Sequence, residues 1–166
     1  TFSQAAADRV KSRNTPVQSW FLDLSLLMAY WDGEGGGRTY HHTAPVNAMY
    51  GLHEALLMVK EQGLEASWAK HRTMHNALYE NLSGLGLEFV VDASYRLPQL
   101  NLVKVPEGVD EAAVRQQLLK EFNLEIGAGL GAFAGKVWRI GLMGYAARQE
   151  NVQLCTSALR ACLPGR

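Results

Sequence analysis

One arginine in an apolar segment is the first candidate for chemistry. Arg139 lies within the apolar residues 137–142, and a glycine-rich run, Gly-Ala-Gly-Leu-Gly, precedes it at residues 127–131. A buried guanidinium without a partner is costly, so Arg139 must point to solvent, form an ion pair or bind an anionic ligand. Its planar donors suit a carboxylate, held through two hydrogen bonds worth about 1.5–3 kcal/mol. The spacing alone leaves a structural ion pair and a ligand both open, because the glycine run matches neither a dinucleotide fingerprint nor a phosphate loop.

A second candidate is the polar segment Arg-Thr-Tyr-His-His-Thr-Ala-Pro at residues 38–45. Its phenol, imidazole and hydroxyl groups can donate hydrogen bonds to an anion. Adjacent histidines rarely hold a metal ion without further ligands, and no cysteine or acidic residue sits at a suitable spacing. A polar loop that leads into the next helix is the simpler alternative.

A third candidate is the pair His71 and His75, four residues apart on one face of a predicted helix. This spacing can bind zinc, but the glutamate of the metalloprotease pattern and a third ligand are missing. The sequence therefore predicts that both histidines lie on a solvated helix face.

No residue has the surroundings of a nucleophile. There is no Gly-x-Ser-x-Gly motif, and neither Cys155 nor Cys162 has charged neighbours that would lower its pKa. The two cysteines lie seven residues apart in a predicted helix, about 10 Å along its axis, which is too far for a disulfide. They are expected to be reduced apolar filler.

Composition limits the class of protein. The 166 residues can form one substantial domain that buries about two thirds of its unfolded surface. The 16 basic residues balance 16 acidic ones without a basic block, which argues against a nucleic-acid partner. The apolar stretches fall short of the roughly 20 residues that cross a bilayer, so a soluble protein is expected. The chain starts with Thr1 and not with methionine, as is expected of a trimmed fragment.

Periodicity predicts the elements that position these residues. Helices are expected at 5–12, 20–31, 48–62, 65–82, 111–122 and 150–163, and strands at 87–91, 97–105, 124–126 and 137–142. Asp110 is a good N-cap for the fifth helix. The order from residue 87 onward predicts an α+β fold in which helices cover one face of a small sheet. A glycine-rich stretch at residues 32–37 suits a tight turn.

Four strings occur in order along the chain. They are Tyr-His-His-Thr-Ala-Pro-Val at 40–46, Glu-Gln-Gly-Leu-Glu-Ala-Ser-Trp at 61–68, Gly-Leu-Gly at 129–131 and Gly-Lys-Val-Trp-Arg-Ile-Gly-Leu-Met-Gly at 135–144. Each is modest alone, but together they are specific. Over essentially its whole length the chain resembles the alanine-glyoxylate and serine-pyruvate aminotransferase family.

The resemblance implies the C-terminal small domain of a fold type I pyridoxal-phosphate-dependent transferase. Residues 1–45 would be a helical junction segment with the cofactor-phosphate loop, and residues 46–166 the small α+β domain. The family assembles as a homodimer with active sites at the subunit interface. The implied reaction moves an amino group from alanine or serine to glyoxylate or another keto acid, with pyridoxal 5′-phosphate as the cofactor.

The resemblance also implies residue roles. Arg139 would bind the carboxylate of the amino or keto acid substrate, and Tyr40 and Thr43 would reach the cofactor phosphate of the neighbouring subunit. The family's Schiff-base lysine lies in a Ser-x-Gln-Lys-like motif upstream of the segment that matches Thr1, and no lysine here has that context. Lys136, the nearest to Arg139, is expected at the exposed start of a strand. We therefore predict no catalytic residue in this chain, an inactive isolated chain, and exposed apolar surface that causes self-association.

Two alternatives stay open. One is another fold type I pyridoxal-phosphate enzyme with a different amino acid substrate. The other is a non-enzymatic α+β module that uses Arg139 to bind a small carboxylate. The C-terminal Leu-Pro-Gly-Arg is not a peroxisomal signal of the Ser-Lys-Leu type, which favours the cytoplasm, although relatives also occur in peroxisomes or mitochondria.

Overall fold

The computed structural model describes residues 2–32, 37 and 39–163, which divide into two compact units, Thr1–Ala55 and Leu56–Arg166. The helices are α1 (Gln4–Lys11), α2 (Leu24–Asp32), α3 (Val46–Gln62), α4 (Leu64–Gly84), α5 (Glu111–Phe122) and α6 (Gln149–Cys162). The strands are β1 (Leu100–Lys104), β2 (Gly127–Ala128) and β3 (Val137–Gly141). The division between the units falls inside α3, and the predicted boundary after residue 45 stays a prediction.

The predicted helix at residues 20–31 is interrupted. A 3₁₀ turn, Trp20–Leu22, precedes α2, and Asp23 separates the two. The Asp23 carboxylate accepts hydrogen bonds from the hydroxyl and the amide of Ser25, the latter at 2.9 Å, and these bonds lower the pKa of Asp23. An aspartate that accepts from free amides starts a helix instead of continuing one. The glycine stretch that follows lies mostly outside the described residues, although Gly37 has a positive φ of 89°.

The second unit has the predicted α+β architecture. Its antiparallel sheet has the order β1-β3-β2. One face of the sheet, with Val103, Trp138 and Ile140, joins a buried core with residues of α4, α5 and α6. The core residues from these helices include Leu78, Leu82, Val114, Leu118, Val152 and Leu159. The helices therefore cover one face of the sheet, as expected.

Two predicted strands differ from the structure. Residues 87–91 form a single bridge, Phe89 with Val103, instead of a named strand. Residues 124–126 do not pair, and β2 begins only at Gly127. The reason is the end of α5, where Asn123 adopts the left-handed conformation and the amide of Leu124 donates to the carbonyl of Leu118. This C-cap uses the residues that would otherwise have started the strand.

Large apolar side chains are exposed, as predicted. In and before α2, Trp20, Leu22 and Trp31 are all more than half exposed. No residue described in α3 is buried. Its exposed apolar side chains are Val46, Met49, Tyr50, Leu52, Leu56, Met58 and Val59. Self-association through this surface stays a prediction. Within the part of the chain that the structure describes, no helix is long and apolar enough to cross a membrane.

Candidate substrate and cofactor site

Arg139 occupies the middle of the central strand β3. Its neighbours in sequence, Trp138 and Ile140, are buried in the core, whereas Arg139 is half-buried on the opposite face of the sheet. Across the sheet it lies between Leu102 of β1 and Gly127 of β2. Alternation along the strand thus directs the guanidinium away from the helix-covered core.

Two features of β2 orient the guanidinium. Arg139 Nε donates a hydrogen bond to the carbonyl oxygen of Ala128 at 2.6 Å. A β-carbon added at Gly127 would lie 3.3 Å from both Nε and Nη2 of Arg139, closer than ordinary van der Waals contact. Because Gly127 has no side chain, the guanidinium of Arg139 can lie over it.

The terminal nitrogens of Arg139 are unpaired within the described part of the chain. The only ion pairs in the described part of the chain join Lys104 to Glu88 and Arg115 to Glu111, and neither pair involves Arg139. The structural ion pair that the spacing left open is not found among these residues. The two Nη nitrogens remain able to donate to a planar anion.

The glycine run also folds the loop against β3. The amide of Gly129 donates to the carbonyl of Val137 at 3.0 Å. A β-carbon at Gly129 would overlap the carbonyl oxygen of Phe133 and lie 3.0 Å from Val137 Cγ2. Only glycine allows this close approach of loop and strand.

Tyr40 and Thr43 lie in the first unit and contact each other. The Tyr40 hydroxyl and Thr43 Oγ1 are 2.6 Å apart, and both side chains are exposed just before α3 begins at Val46. Among the described residues, no backbone acceptor pairs with the amides of Asn47 and Ala48 in the first turn of α3. Two hydroxyls and a helix N-terminus with open amides form a set of donors for an anion.

Two histidines brace this loop. His41 is buried, stacks on Trp20 at 4.0 Å, and donates from Nε2 to the Trp20 carbonyl at 3.1 Å. Its Nδ1 lies 2.5 Å from Nδ1 of His42, a hydrogen bond in which one imidazole donates and the other accepts. The imidazoles therefore hold the loop together through hydrogen bonds. No group of three metal-ligating side chains occurs among the residues described.

Comparison with known proteins decides the family. The model of aminotransferase class-V matches residues 26–154, which is most of the chain. This chain belongs to the class-V aminotransferase family. The matched region includes Tyr40, Thr43 and Arg139, and the predicted recognition is confirmed.

Several relatives are named as glyoxylate aminotransferases. The chain is 46% identical to the alanine–glyoxylate aminotransferase of Callithrix jacchus over 164 residues, 98% of this chain and 40% of that protein. It is 40% identical to the (S)-ureidoglycine–glyoxylate transaminase of Bacillus subtilis over 95% of this chain and 37% of the relative. The crystal structure of alanine–glyoxylate aminotransferase from Nostoc sp. superposes with a TM-score of 0.89 at 45% identity, over 98% of this chain and 42% of that one. The chain thus spans about 40% of the length of these relatives.

Membership in the class-V family confirms the predicted fold class, that of fold type I pyridoxal-phosphate aminotransferases. Members of the family are pyridoxal-phosphate enzymes.

In this class-V chain Lys136 is exposed immediately before β3 and the two cysteines are free. Burial raises the pKa of the Cys155 thiol to about 12, and burial, followed by the charge of Glu121, raises that of Cys162. Both thiols therefore stay protonated, as expected for filler.

The prediction of a solvated face for His71 and His75 is wrong. The two side chains are only 7% and 8% exposed. His75 Nδ1 lies 2.6 Å from Asn101 Oδ1 in β1, and the Gly144 amide donates to His71 Nε2 at 3.0 Å. The partners come from 26 and 73 residues away, so the local sequence of α4 does not reveal them. Buried imidazoles need hydrogen-bond partners, and nothing in the spacing of the two histidines identifies Asn101 or Gly144 as such partners.

Proposed function

We propose that this chain is the C-terminal, small-domain part of a pyridoxal-phosphate-dependent aminotransferase. The complete enzyme would transfer an amino group from alanine or serine to glyoxylate or another keto acid. The observation that carries the proposal is the guanidinium of Arg139, which lies on the sheet face opposite the helix-covered core and has no carboxylate partner among the described residues. The relatives from Callithrix jacchus and Bacillus subtilis both have glyoxylate in their names, which supports glyoxylate as the acceptor.

Arg139 would bind the carboxylate that amino acid and keto acid substrates share. The bond from Nε to the Ala128 carbonyl turns the guanidinium so that its Nη donors remain for the ligand. Two charge-assisted hydrogen bonds to one carboxylate would contribute about 1.5–3 kcal/mol and fix its plane. Arg139 would thereby orient the substrate without taking part in proton transfer.

Tyr40 and Thr43 would hold the phosphate of pyridoxal 5′-phosphate bound in the partner subunit of a homodimer. Their donors fit a phosphate, because two hydroxyls 2.6 Å apart precede a helix of 17 residues in which the amides of Asn47 and Ala48 have no backbone acceptor among the described residues. The helix dipole favours a dianion at this end by about 0.3–1 kcal/mol. The cofactor, when bound, supplies the electron sink of the reaction.

None of the lysines of this chain would form the Schiff base with the cofactor. Lys136 is exposed immediately before β3. We therefore expect the isolated chain to be inactive and the lysine to belong to the portion of the relatives that this chain does not span. A cytoplasmic location stays a prediction.

A chimera tests the proposal. The matching segment of the Nostoc enzyme, 45% identical and nearly coextensive with this chain, would be replaced by residues 1–166. We expect alanine–glyoxylate transamination by the chimera and none by the isolated chain. Arg139→Ala should raise the KM for alanine by about tenfold or more while pyridoxal phosphate stays bound, since one charge-assisted pair is lost.

The matched control is Arg160→Ala, which removes an exposed arginine from α6 and should leave the KM unchanged. Tyr40→Phe combined with Thr43→Val should instead weaken cofactor retention, measured by dialysis and visible absorbance. A well-folded, cofactor-loaded chimera without transaminase activity would contradict the proposed reaction. An unchanged KM in Arg139→Ala would contradict the role of Arg139 and favour a different fold type I activity.

A further inference from the structure

The end of the strand that carries Arg139 is tied to helix α4. Beyond β3, the amide of Leu142 donates to the carbonyl of Gln99 at 2.8 Å. Two residues later, the amide of Gly144 donates to Nε2 of His71, a bond that spans 73 residues of sequence. Between these two bonds lies Met143, which is therefore held at both sides.

Met143 lies on the face of the sheet that carries Arg139. Its Cε is 3.7 Å from the position that a β-carbon on Gly141 would occupy. Gly141 and Arg139 are two residues apart on β3, and side chains two apart share a face. Met143 is 55% exposed, so it forms an apolar edge on this face of the sheet.

The hydrogen bonds of His71 determine its protonation. Nδ1 is 2.6 Å from the carbonyl oxygen of Ser67, which can only accept, so Nδ1 carries the proton. Nε2 accepts from the Gly144 amide and therefore has no proton. Both nitrogens of this buried ring are used, and only the neutral Nδ1–H tautomer satisfies both bonds.

One turn further along α4, a second histidine contacts the same strand system. His75 bonds to Asn101 Oδ1, while Asn101 Nδ2 donates to the Ile140 carbonyl at 3.3 Å and to the Pro98 carbonyl at 3.4 Å. Ile140 is the neighbour of Arg139. Helix α4 is thus linked to Ile140 of β3 through Asn101, and to Gly144, beyond β3, through His71.

We infer that His71 is a positioning residue for the Arg139 site. Its neutral imidazole holds the Gly144 turn and, through that turn, fixes Met143 on the face of the sheet where Arg139 would bind the substrate carboxylate. The inference rests on the proposed function of Arg139. Loss of the acceptor at Nε2 leaves the Gly144 amide without its partner and frees the segment that carries Met143.

The first test is spectroscopic and uses the full chain without variants. Imidazole nitrogen NMR at neutral pH should show His71 as the Nδ1–H tautomer, with a coupling from Nε2 to the Gly144 amide. The Nε2–H tautomer or an imidazolium at His71 would overturn the inference. A merely space-filling histidine would not require this tautomer.

The second test compares two variants. His71→Gln retains an acceptor near the Nε2 position, whereas His71→Leu removes it, and His53→Leu on the exposed face of α3 is the control. Hydrogen exchange of the Gly144 amide should become about tenfold faster in His71→Leu and change little in His71→Gln and the control. Equal exchange in the Leu variant and the wild type would overturn the inference. Should His71→Leu fail to fold, the tautomer and His71→Gln still decide.

The third test separates this inference from the function of Arg139. In a pyruvate titration of the wild-type chain, the Arg139 Nε–H resonance should shift, and His71→Leu should weaken the response several-fold. A wild-type chain without any response contradicts the proposed role of Arg139. A wild-type response that His71→Leu leaves unchanged contradicts the role of His71 alone.

Discussion

The guanidinium of Arg139 lies over Gly127, closer than ordinary van der Waals contact for an added β-carbon. A β-carbon at Gly127 would be 3.3 Å from Nε and 3.3 Å from Nη2, and the pairing of β2 with β3 places the two residues directly opposite each other. The orientation of the proposed carboxylate ligand therefore depends on a residue that has no side chain.

Gly127→Val should displace the guanidinium of Arg139. Because the branched side chain occupies the space of Nε, the hydrogen bond from Nε to the Ala128 carbonyl should break. Without that bond the guanidinium is no longer oriented toward the substrate carboxylate, and the KM for alanine should rise about tenfold in the Nostoc chimera. The Arg139 Nε–H resonance of the isolated chain reports the displacement directly. A resonance and a KM at wild-type values would show that the site does not need this glycine.

Gly129→Ala should destabilise the second unit. Its β-carbon would overlap the Phe133 carbonyl, which is backbone and cannot move aside cheaply, so a loss of about 1–3 kcal/mol or more in the free energy of unfolding is expected. The matched control is Gly51→Ala in α3, where a β-carbon meets nothing within 4 Å. That control should stabilise the helix by up to about 1 kcal/mol. Urea denaturation measures both, and equal effects would contradict the close approach.

Asp110→Ala should weaken α5. The Asp110 carboxylate accepts from the amides of Ala112 and Ala113, each at 3.0 Å. Loss of this N-cap should cost about 1 kcal/mol in the free energy of unfolding, whereas Asp110→Asn keeps an accepting oxygen and should cost little. Denaturation curves that rank the two variants equally would show that the cap contributes nothing.

The stability of the chain should fall at alkaline pH because of Cys155. Burial raises the pKa of this thiol from 9.0 to about 12, so above pH 9.0 the unfolded chain releases a proton that the folded chain keeps. The contribution of the neutral thiol to the free energy of unfolding is complete below pH 9.0 and is lost as the pH rises toward about 12. Cys155→Ala should flatten this decline in urea denaturation. A variant with the same pH slope as the wild type would contradict the assignment.

Local features of the fold were predictable from the sequence. The cap at Asp110, the helix α6 and the strand β3 depend on neighbouring residues, because capping and periodicity act within one or two turns. Where two local signals compete, the prediction was less complete. Asp23 ended one helical turn and began α2, and the left-handed Asn123 delayed β2 to Gly127.

The sequence alone was enough to predict the family from its four strings, the helices from their periodicity, and Arg139 as the candidate that binds a carboxylate. Each of these predictions depends on residue type and short spacing. Tertiary structure alone decided the surroundings of Arg139 and the burial of His71 and His75. The absence of a carboxylate within reach of Arg139 among the described residues is a property of the assembled sheet. His71 and His75 bond to Gly144 and Asn101, which lie 73 and 26 residues away, and only packing brings such distant groups within hydrogen-bonding distance.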